Sequence, residues 1–327
     1  MKALIHVNGN LKIESANEPI AKSDEVIVAI HAAGLNRRDL MVPTRRGDVK
    51  EPLILGSDGA GVIESIGENV EGWSIGDEVI INPSLRWFDK SAFPPKDFDI
   101  LGMPDNGTFA EKIAISAEQL EKKPSHLSME EAAVIALSAL TGYRALFTQG
   151  ELKKGDTVFI PGAGSGVATY LIQFAKNSGA RVIVSSRAIE KRQKALELGA
   201  DVAIDTKGNW QDELADEEID LVIESVGRAT FNRSLDVLKP GGKIVVFGAT
   251  TEDVVELDLR KFFYGQYKLF GSTMGSREEL REMLGHIELY GIKPVIDKVY
   301  PLSEALTAFE ALKNSEQFGK LVLQIKR

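Results

Sequence analysis

Hydrophobic and polar positions change their period along this chain. Through roughly the first 120 residues the apolar positions come in short runs, Glu25 to Ile30 (EVIVAI), Val62 to Ser65 and Glu78 to Ile81, divided by glycine-rich turns at Gly34, Gly56 to Gly61 and Gly76. Strands this closely spaced leave no room for crossover helices, so the pattern predicts an all-β, barrel-like domain. Asn82 to Thr108, with Pro83, Pro94, Pro95, Pro104 and Gly107, has little periodicity and reads as a long surface excursion, of the kind that serves as a lid or a partner contact. From Ser128 the pattern turns helical, with Ser128 as N-cap and Glu131 at the capping-box position.

The stretch Thr157 to Arg187, TVFIPGAGSGVATYLIQFAKNSGARVIVSSR, then reads as strand, glycine turn, helix, strand. Val167, Tyr170, Leu171, Phe174 and Ala175 fall on one helical face that can pack on a sheet. Further strands at Val202 to Ile204, Asp220 to Glu224, Lys243 to Phe247 and Tyr267 to Phe270 alternate with helical segments at Glu190 to Leu198, Gln211 to Ala215 and Thr230 to Leu238. That alternation predicts a doubly wound parallel sheet, an α/β fold. After Gly275 come two helices, Arg277 to Tyr290 and Ser303 to Leu312, and a last strand, Lys320 to Ile325.

The turn carries the first candidate chemistry. Gly162, Gly164, Ser165, Gly166 and Val167 open a helix directly after a strand, which lets backbone N–H groups approach a phosphate where the helix dipole favours negative charge. The spacing is one residue longer than G-x-G-x-x-G/A, and an ordinary tight βα turn is the alternative. The second strand ends in Ser185, Ser186 and Arg187, with Lys191 and Arg192 one turn later. An NAD site places an acidic side chain there; hydroxyls and cations suit the 2′-phosphate of NADP, unless they only form a solvated surface. Gly227 and Gly248 follow the fourth and fifth strands, at the edge where the crevice of such sheets lies, and are candidate approaches to ribose and nicotinamide.

Composition narrows the rest. The 327 residues, 43% hydrophobic, suffice for two domains, and no run is long and apolar enough to span a membrane. Met1 to Val7 begins as a strand rather than a signal peptide, so a cytoplasmic location is expected. A net charge of −9 argues against nucleic-acid partners. With no cysteine there is no disulfide, no thiolate zinc site and no cysteine nucleophile, and His6, His31, His126 and His286 show no ligand spacing.

Taken together, MKAL, Ala33-Gly34-Leu35-Asn36-Arg37-Arg38-Asp39, Leu55-Gly56-Ser57-Asp58-Gly59-Ala60-Gly61-Val62, Leu140-Thr141-Gly142-Tyr143, the PGAGSGVA turn, Leu198-Gly199-Ala200-Asp201, Leu238-Lys239-Pro240-Gly241-Gly242 and Gly319-Lys320-Leu321-Val322 run nearly the length of the chain. In that order they resemble the medium-chain dehydrogenases and reductases, specifically the zinc-free quinone-oxidoreductase-like branch. The resemblance implies a GroES-like, mainly β barrel catalytic domain over 1–123, a Rossmann NADP-binding domain over 124–272, and a segment 273–327 that completes the catalytic domain. Zinc-dependent members carry cysteine where this chain has Asn36, Gly-His-Glu where it has Gly56-Ser57-Asp58, and a second cysteine near Leu137. No metal site is therefore expected.

Without a Lewis acid, oxidation of simple alcohols loses several kcal/mol of transition-state stabilisation, whereas conjugated acceptors remain accessible. The resemblance thus implies an NADPH-dependent reductase of quinones or α,β-unsaturated carbonyls. Asn36 is the expected amide donor to the developing oxyanion, or else a turn residue. Asp39 orients Asn36, or is an N-cap for a turn starting at Leu40. The resemblance puts Arg37 within reach of the pyrophosphate and the Thr141 hydroxyl near the nicotinamide, where a helix back-bond is the alternative. It also implies a homodimer, formed by the alternating segment Asp253 to Leu259 at the edge of the cofactor sheet. A non-catalytic NADPH-binding sensor or structural protein, and an alcohol dehydrogenase-like enzyme with a non-cysteine metal site, are the competing readings.

Overall fold

The short runs of the first part of the chain form antiparallel strands, as their period requires. In the computed structural model, which describes residues 1–326, Val26, Val28 and Ile30 of the strand Glu25–Gly34 alternate into one core with Leu4, Ile63, Val79 and Phe109. The sheet around that strand runs Leu120–Lys122, Glu78–Ile81, Ala60–Ile66, Glu25–Gly34, Lys320–Gln324, Ile296–Pro301, and Lys112–Ser116 also pairs with Glu25–Gly34. Glycine at position 61 is what lets two of these strands meet, because a Cβ there would lie 2.0 Å from the Ala29 carbonyl oxygen. A smaller sheet joins Asn10–Ser15, Lys2–Val7 and Leu53–Ile54.

One pairing decides where the polar site forms. Lys320–Gln324 lies antiparallel to Glu25–Gly34, with Val322 opposite Gly34 and Gln324 opposite Ala32. The Leu35 N–H donates to the Leu321 carbonyl at 3.0 Å. Carried one residue further, the same register sets Lys320 against Asn36.

Met1–Leu140 and the residues from Gly275 onward form one unit, and Thr141–Met274 forms the other. The stretch 124–140, expected with the cofactor sheet, groups with the first unit. A Cβ on Gly34 would lie 2.6 Å from the Ala133 carbonyl oxygen, and the Leu137 N–H donates to the Asp58 carboxylate at 2.7 Å. The capping box at Ser128 is present, with Ser128 N–H on Glu131 at 2.8 Å and Glu131 N–H on the Ser128 hydroxyl at 3.2 Å, but the helix it opens, Met129–Ala132, is a single turn. The excursion after Asn82 is anchored rather than loose. It carries the paired strands Ser84–Leu85 and Asp99–Ile100, buries Trp87, and offers the carbonyls of Trp87 and Phe88 to the N–H groups of Arg277 and Glu278 at 2.8 and 3.0 Å. Those are orphan donors of the helix Arg277–Tyr290, so the excursion caps it.

The second unit holds six parallel strands in the order Val202–Asp205, Arg181–Ser186, Thr157–Pro161, Ile219–Glu224, Leu238–Val246, Lys268–Gly271. The runs of the three strands Thr157–Pro161, Arg181–Ser186 and Ile219–Glu224 are buried on both faces; Phe159, Val222 and Ile244 share one core with Trp210, Phe231 and Leu235. Strand order reverses between Thr157–Pro161 and Ile219–Glu224, which puts the crevice of a doubly wound sheet at their carboxyl ends.

Asp253 to Leu259 is not the strand its alternation suggested. Val255 and Leu257 pack against the sheet's core from an irregular segment, and the short helix Leu259–Tyr264 follows. The edge of the sheet is Lys268–Gly271, on which Leu269 is exposed. Among the described residues no helix is long and apolar enough to cross a membrane.

Candidate active site

Within the first unit, the turn after Glu25–Gly34, the glycine-rich loop before Ala60–Ile66, the start of the helix Ser138–Tyr143 and the strand Lys320–Gln324 bring four polar side chains together out of water. Asn36, Asp58, Ser138 and Lys320 are each no more than 5% exposed. The Lys320 ammonium donates to the Asn36 side-chain oxygen at 2.6 Å, the Leu35 carbonyl at 2.8 Å, the Ser138 hydroxyl at 3.0 Å and an Asp58 carboxylate oxygen at 3.3 Å. Asn36 Nδ2 donates to the same Asp58 oxygen at 3.0 Å and to the Gly34 carbonyl at 3.4 Å. The other Asp58 oxygen accepts the Leu137 N–H at 2.7 Å. With an ammonium on one side and a carboxylate on the other, the Asn36 amide can take only one orientation. Burial holds the Lys320 pKa below its ordinary value, against the opposing pull of the Asp58 and Asp39 carboxylates.

This geometry shows what each expected site residue of the first unit touches within the protein. The Asn36 amide, expected to donate to a substrate oxyanion, is engaged at both ends by protein. Asp39 is not the N-cap of a turn beginning at Leu40. It is the third residue of the turn Arg37–Leu40, whose N-cap is Asn36, and its Oδ2 accepts the Asn36 N–H at 2.8 Å. Its Oδ1 is buried without a partner, and burial pushes the Asp39 carboxyl up to about 6. Arg37, expected at a pyrophosphate, donates to the Leu312 carbonyl at 3.3 Å and the Ser315 hydroxyl at 2.6 Å, closing the carboxyl end of the helix Ala305–Asn314. Arg38 donates to Ser57 Oγ at 2.6 Å and to the Leu101 carbonyl at 2.8 Å. Lys320 and Ser138 were missed as site residues. The signal for the lysine was a charged side chain at the head of the apolar run Leu321 to Leu323.

In the second unit the strand Thr157–Pro161 ends at Gly162, whose φ of +83° suits only glycine without strain. The N–H groups of Gly162 and Ala163 donate to the Ser185 carbonyl at 3.0 and 2.9 Å, which folds the turn back. Ser165 then caps the helix Gly166–Asn177 by accepting the Ala168 N–H at 3.1 Å. A Cβ on Gly164 would lie 2.7 Å from Lys191 Cδ and 3.1 Å from its Nζ, so the lysine side chain lies across the turn. Ser186 is buried, its hydroxyl accepting the Ala188 N–H at 3.3 Å, and Arg192 is tied to the Ser186 carbonyl and to Asp205. Arg187 projects into solvent at the strand's end. Thr141 is buried on the helix Ser138–Tyr143.

The glycines after the other two strands differ. Gly227, with φ +95°, is needed by the protein itself, since a Cβ there would lie 2.7 Å from the Glu252 carbonyl oxygen. At Gly248 a Cβ would meet nothing within 4 Å, which leaves open space for a ligand. The loop carrying Gly227 is organised by Glu224, another residue that sequence reasoning passed over. Its fully buried carboxylate accepts the N–H groups of Val226 and Gly227 and the hydroxyls of Thr230 and Ser234 at 2.7 to 3.2 Å. A glycine turn at a helix start, a crossing lysine and an exposed arginine fit a phosphorylated dinucleotide.

The two units, a mainly β domain with a buried polar cluster and a doubly wound sheet with a glycine turn, define a two-domain dehydrogenase or reductase. Residues 22–125 match the alcohol dehydrogenase GroES-like domain, and 166–288 match the family described as zinc-binding dehydrogenase. The chain belongs to the medium-chain dehydrogenase/reductase superfamily of oxidoreductases. It is 34% identical over 323 residues to a zinc-type alcohol dehydrogenase-like protein of Schizosaccharomyces pombe, covering 92% of this chain and 91% of that one. It is 26% identical to the quinone oxidoreductase of Homo sapiens, covering 93% and 90%. Among solved structures it is similar to an NAD-dependent alcohol dehydrogenase (TM-score 0.92, 33% identity, covering 99% of this chain and all of that one). Another is a 2-octenoyl-CoA carboxylase reductase in complex with NADP and 2-octenoyl-CoA (TM-score 0.88, 27% identity, covering 99% and 87%).

The family description names zinc, yet the residues present do not fit that ion. Its match over 166–288 contains none of the positions Asn36, Ser57, Asp58 and Leu137. Those positions offer an amide, a hydroxyl, one carboxylate and an aliphatic chain, where zinc takes thiolate, imidazole or carboxylate. Among the described residues no group of three or more His, Cys, Asp or Glu could hold a metal.

Proposed function

We propose that this protein is a zinc-independent, NADPH-dependent reductase of quinones or α,β-unsaturated carbonyls. The observation that carries the proposal is the chemistry at the positions where the resemblance puts zinc ligands: Asn36 offers an amide and Ser57 a hydroxyl, and the Asn36 amide is engaged by Lys320 and Asp58 at 2.6 and 3.0 Å. Without a Lewis acid, a carbonyl must be activated by its own conjugation. When bound, the cofactor supplies hydride. A conjugated acceptor takes it at the β-carbon, and the negative charge spreads over an extended enolate that hydrogen-bond donors can stabilise until a proton arrives. The glycine turn Gly162 to Val167 would hold the pyrophosphate, and Arg187 and Lys191 would hold the 2′-phosphate. The Thr141 hydroxyl would serve the nicotinamide, and Asp39 fixes the backbone of Asn36. The relatives support this reading, since one is a quinone oxidoreductase and one similar structure holds NADP with an enoyl thioester.

The protein pairs through the edge strand Lys268–Gly271 in this reading. Val254, Leu259, Phe263, Tyr264 and Leu269, near that edge in sequence or on it, are large apolar side chains exposed to solvent.

The test is steady-state turnover of NADPH with a panel of quinones, enones and simple aldehydes, before and after dialysis against a strong chelator. Turnover confined to conjugated acceptors and unaffected by chelation is expected. Chelator-sensitive oxidation of simple alcohols would overturn the proposal. A non-catalytic NADPH-binding protein is the second reading, favoured by the full engagement of the Asn36 amide; tight NADPH binding without turnover of any acceptor would establish it.

A further inference from the structure

We infer that Asp205 is a specificity-determining residue: by holding the Arg192 guanidinium against the ends of two neighbouring strands, it withholds a cation from the cofactor's 2′-phosphate and so limits the preference for NADPH over NADH. The inference deepens the NADPH reading and rests on it for the position of that phosphate, at the end of Arg181–Ser186 beside Arg187 and Lys191.

Strand register brings the two side chains together. Parallel pairing sets Asp205 opposite Ser186, so the last residue of Val202–Asp205 stands next to the last residue of Arg181–Ser186. An NAD-binding sheet carries its acidic side chain at the end of the second of these strands in sequence, the one that here ends in Ser186. In this chain the acid lies one strand over. Two contacts fix it there. Asp205 Oδ1 accepts the Lys207 N–H at 2.9 Å, and Oδ2 lies 3.1 Å from Arg192 Nη1. That same nitrogen donates to the Ser186 carbonyl at 2.8 Å, so one guanidinium ties the carboxylate to the neighbouring strand end.

The charges are therefore unequal in what they can offer a phosphate. Lys191 and Arg192 are the third and fourth residues of the helix Ile189–Glu197, and Arg187 lies just before it. Arg187 projects into solvent, whereas Arg192 shares its charge with Asp205. The Lys207 N–H and, after it, the Arg192 charge hold the Asp205 carboxyl below its ordinary value against the opposing effect of burial, so the negative charge is present at neutral pH. The two side chains are 18% and 41% exposed, and an ion pair this open to water contributes little to the fold. Its larger effect is on an incoming anion: it cancels one cation and leaves a carboxylate beside a site for a phosphate, an element that acts against one cofactor and is indifferent to the other.

The test uses two nucleotides that differ only in the 2′-phosphate, 2′,5′-ADP and 5′-AMP, with binding to the full chain measured by calorimetry. Asp205→Asn keeps an oxygen for the Lys207 N–H and turns an amide toward Arg192, which removes the charge while keeping the turn. The affinity ratio of 2′,5′-ADP to 5′-AMP should rise about tenfold through tighter binding of 2′,5′-ADP alone, and the gain should shrink in about 0.5 M salt. NADPH and NADH should follow the same pattern. Combining D205N with Arg192→Gln should abolish the gain. Asp205→Ser, which also keeps an acceptor for the Lys207 N–H, should reproduce it and decides in the same way if Asp205→Asn does not fold.

An unchanged or lower ratio, an equal change for both nucleotides, or a gain that persists without Arg192 would overturn the inference. The wild-type ratio judges the NADPH reading separately. If the wild type favours 2′,5′-ADP and Asp205→Asn leaves the ratio where it was, the inference falls and the NADPH reading stands. If the wild type shows no preference and Asp205→Asn creates one, the inference stands and the NADPH preference falls. Neither nucleotide carries a nicotinamide, so the outcome is independent of which acceptor the protein reduces.

Discussion

Asp39 is a carboxylate in the wrong place for a charge, and replacing it with asparagine should stabilise the protein in a pH-dependent way. The side chain is buried, one of its oxygens has no partner, and burial holds its folded-state value at about 6 against 3.8 for the free side chain. Because the folded value is the higher one, the folded protein keeps this proton when the unfolded chain has lost it. The stabilisation from this group is therefore complete below pH 3.8 and is lost as the pH rises to about 6, beyond which it stays flat. At ~1.4 kcal/mol per pH unit the gap amounts to ~3 kcal/mol, which the wild type has forgone by neutral pH. Asp39→Asn keeps an oxygen for the Asn36 N–H and never ionises. The difference in unfolding free energy, mutant minus wild type, should grow by most of ~3 kcal/mol between about pH 4 and about pH 7, measured by urea titration at a series of pH values. Taking the difference cancels the many surface carboxylates whose pairing acts in the opposite direction. A difference that is constant across that range, or that shrinks as pH rises, would refute the reasoning.

Two further outcomes follow from the cofactor unit. Replacing Arg187 and Lys191 by alanine should weaken NADPH binding by roughly 1.5–3 kcal/mol per contact while leaving NADH little changed, and calorimetry showing equal losses for both would remove the 2′-phosphate assignment. Leu269→Lys places a charge on the exposed edge strand; the wild type should sediment as a dimer and the variant as a monomer with unchanged circular dichroism, whereas a wild type already monomeric at micromolar concentration would end the dimer proposal.

The parallel sheet was legible because most of its strands carry their own local evidence, a β-branched run followed by a turn and a helical period. The capping box at Ser128 was legible for the same reason. What failed was whatever depends on partners distant in sequence. Val255 and Leu257 alternate as strand residues do, but they face inward because a core lies beneath an irregular segment, not because a ladder exists. Asn36 was identified as a site residue, yet the use of its amide is decided by Asp58, Ser138 and above all Lys320, whose opposition to it comes from strand register. Arg37 likewise finds its partners at Leu312 and Ser315, a contact no spacing within its own turn discloses. The glycine turn is a candidate phosphate site by its sequence, but only the fold reveals that Lys191 reaches back over Gly164.

The late arrival of the strand that carries Lys320 bears on how the protein is made. Thr141–Met274 is an uninterrupted stretch that can fold as it leaves the ribosome, whereas Met1–Leu140 must wait, already synthesised, for a strand that emerges only after that whole unit. During the wait the Ala32–Gly34 end of Glu25–Gly34 lacks its last partner and the oxygens of Asn36, Asp58 and Ser138 surround no cation. Exposed edges and uncompensated buried charge are what chaperones guard and what aggregation exploits. The period of greatest vulnerability in biosynthesis is thus set by chain order: it opens when the first sheet collapses and closes when Lys320 docks.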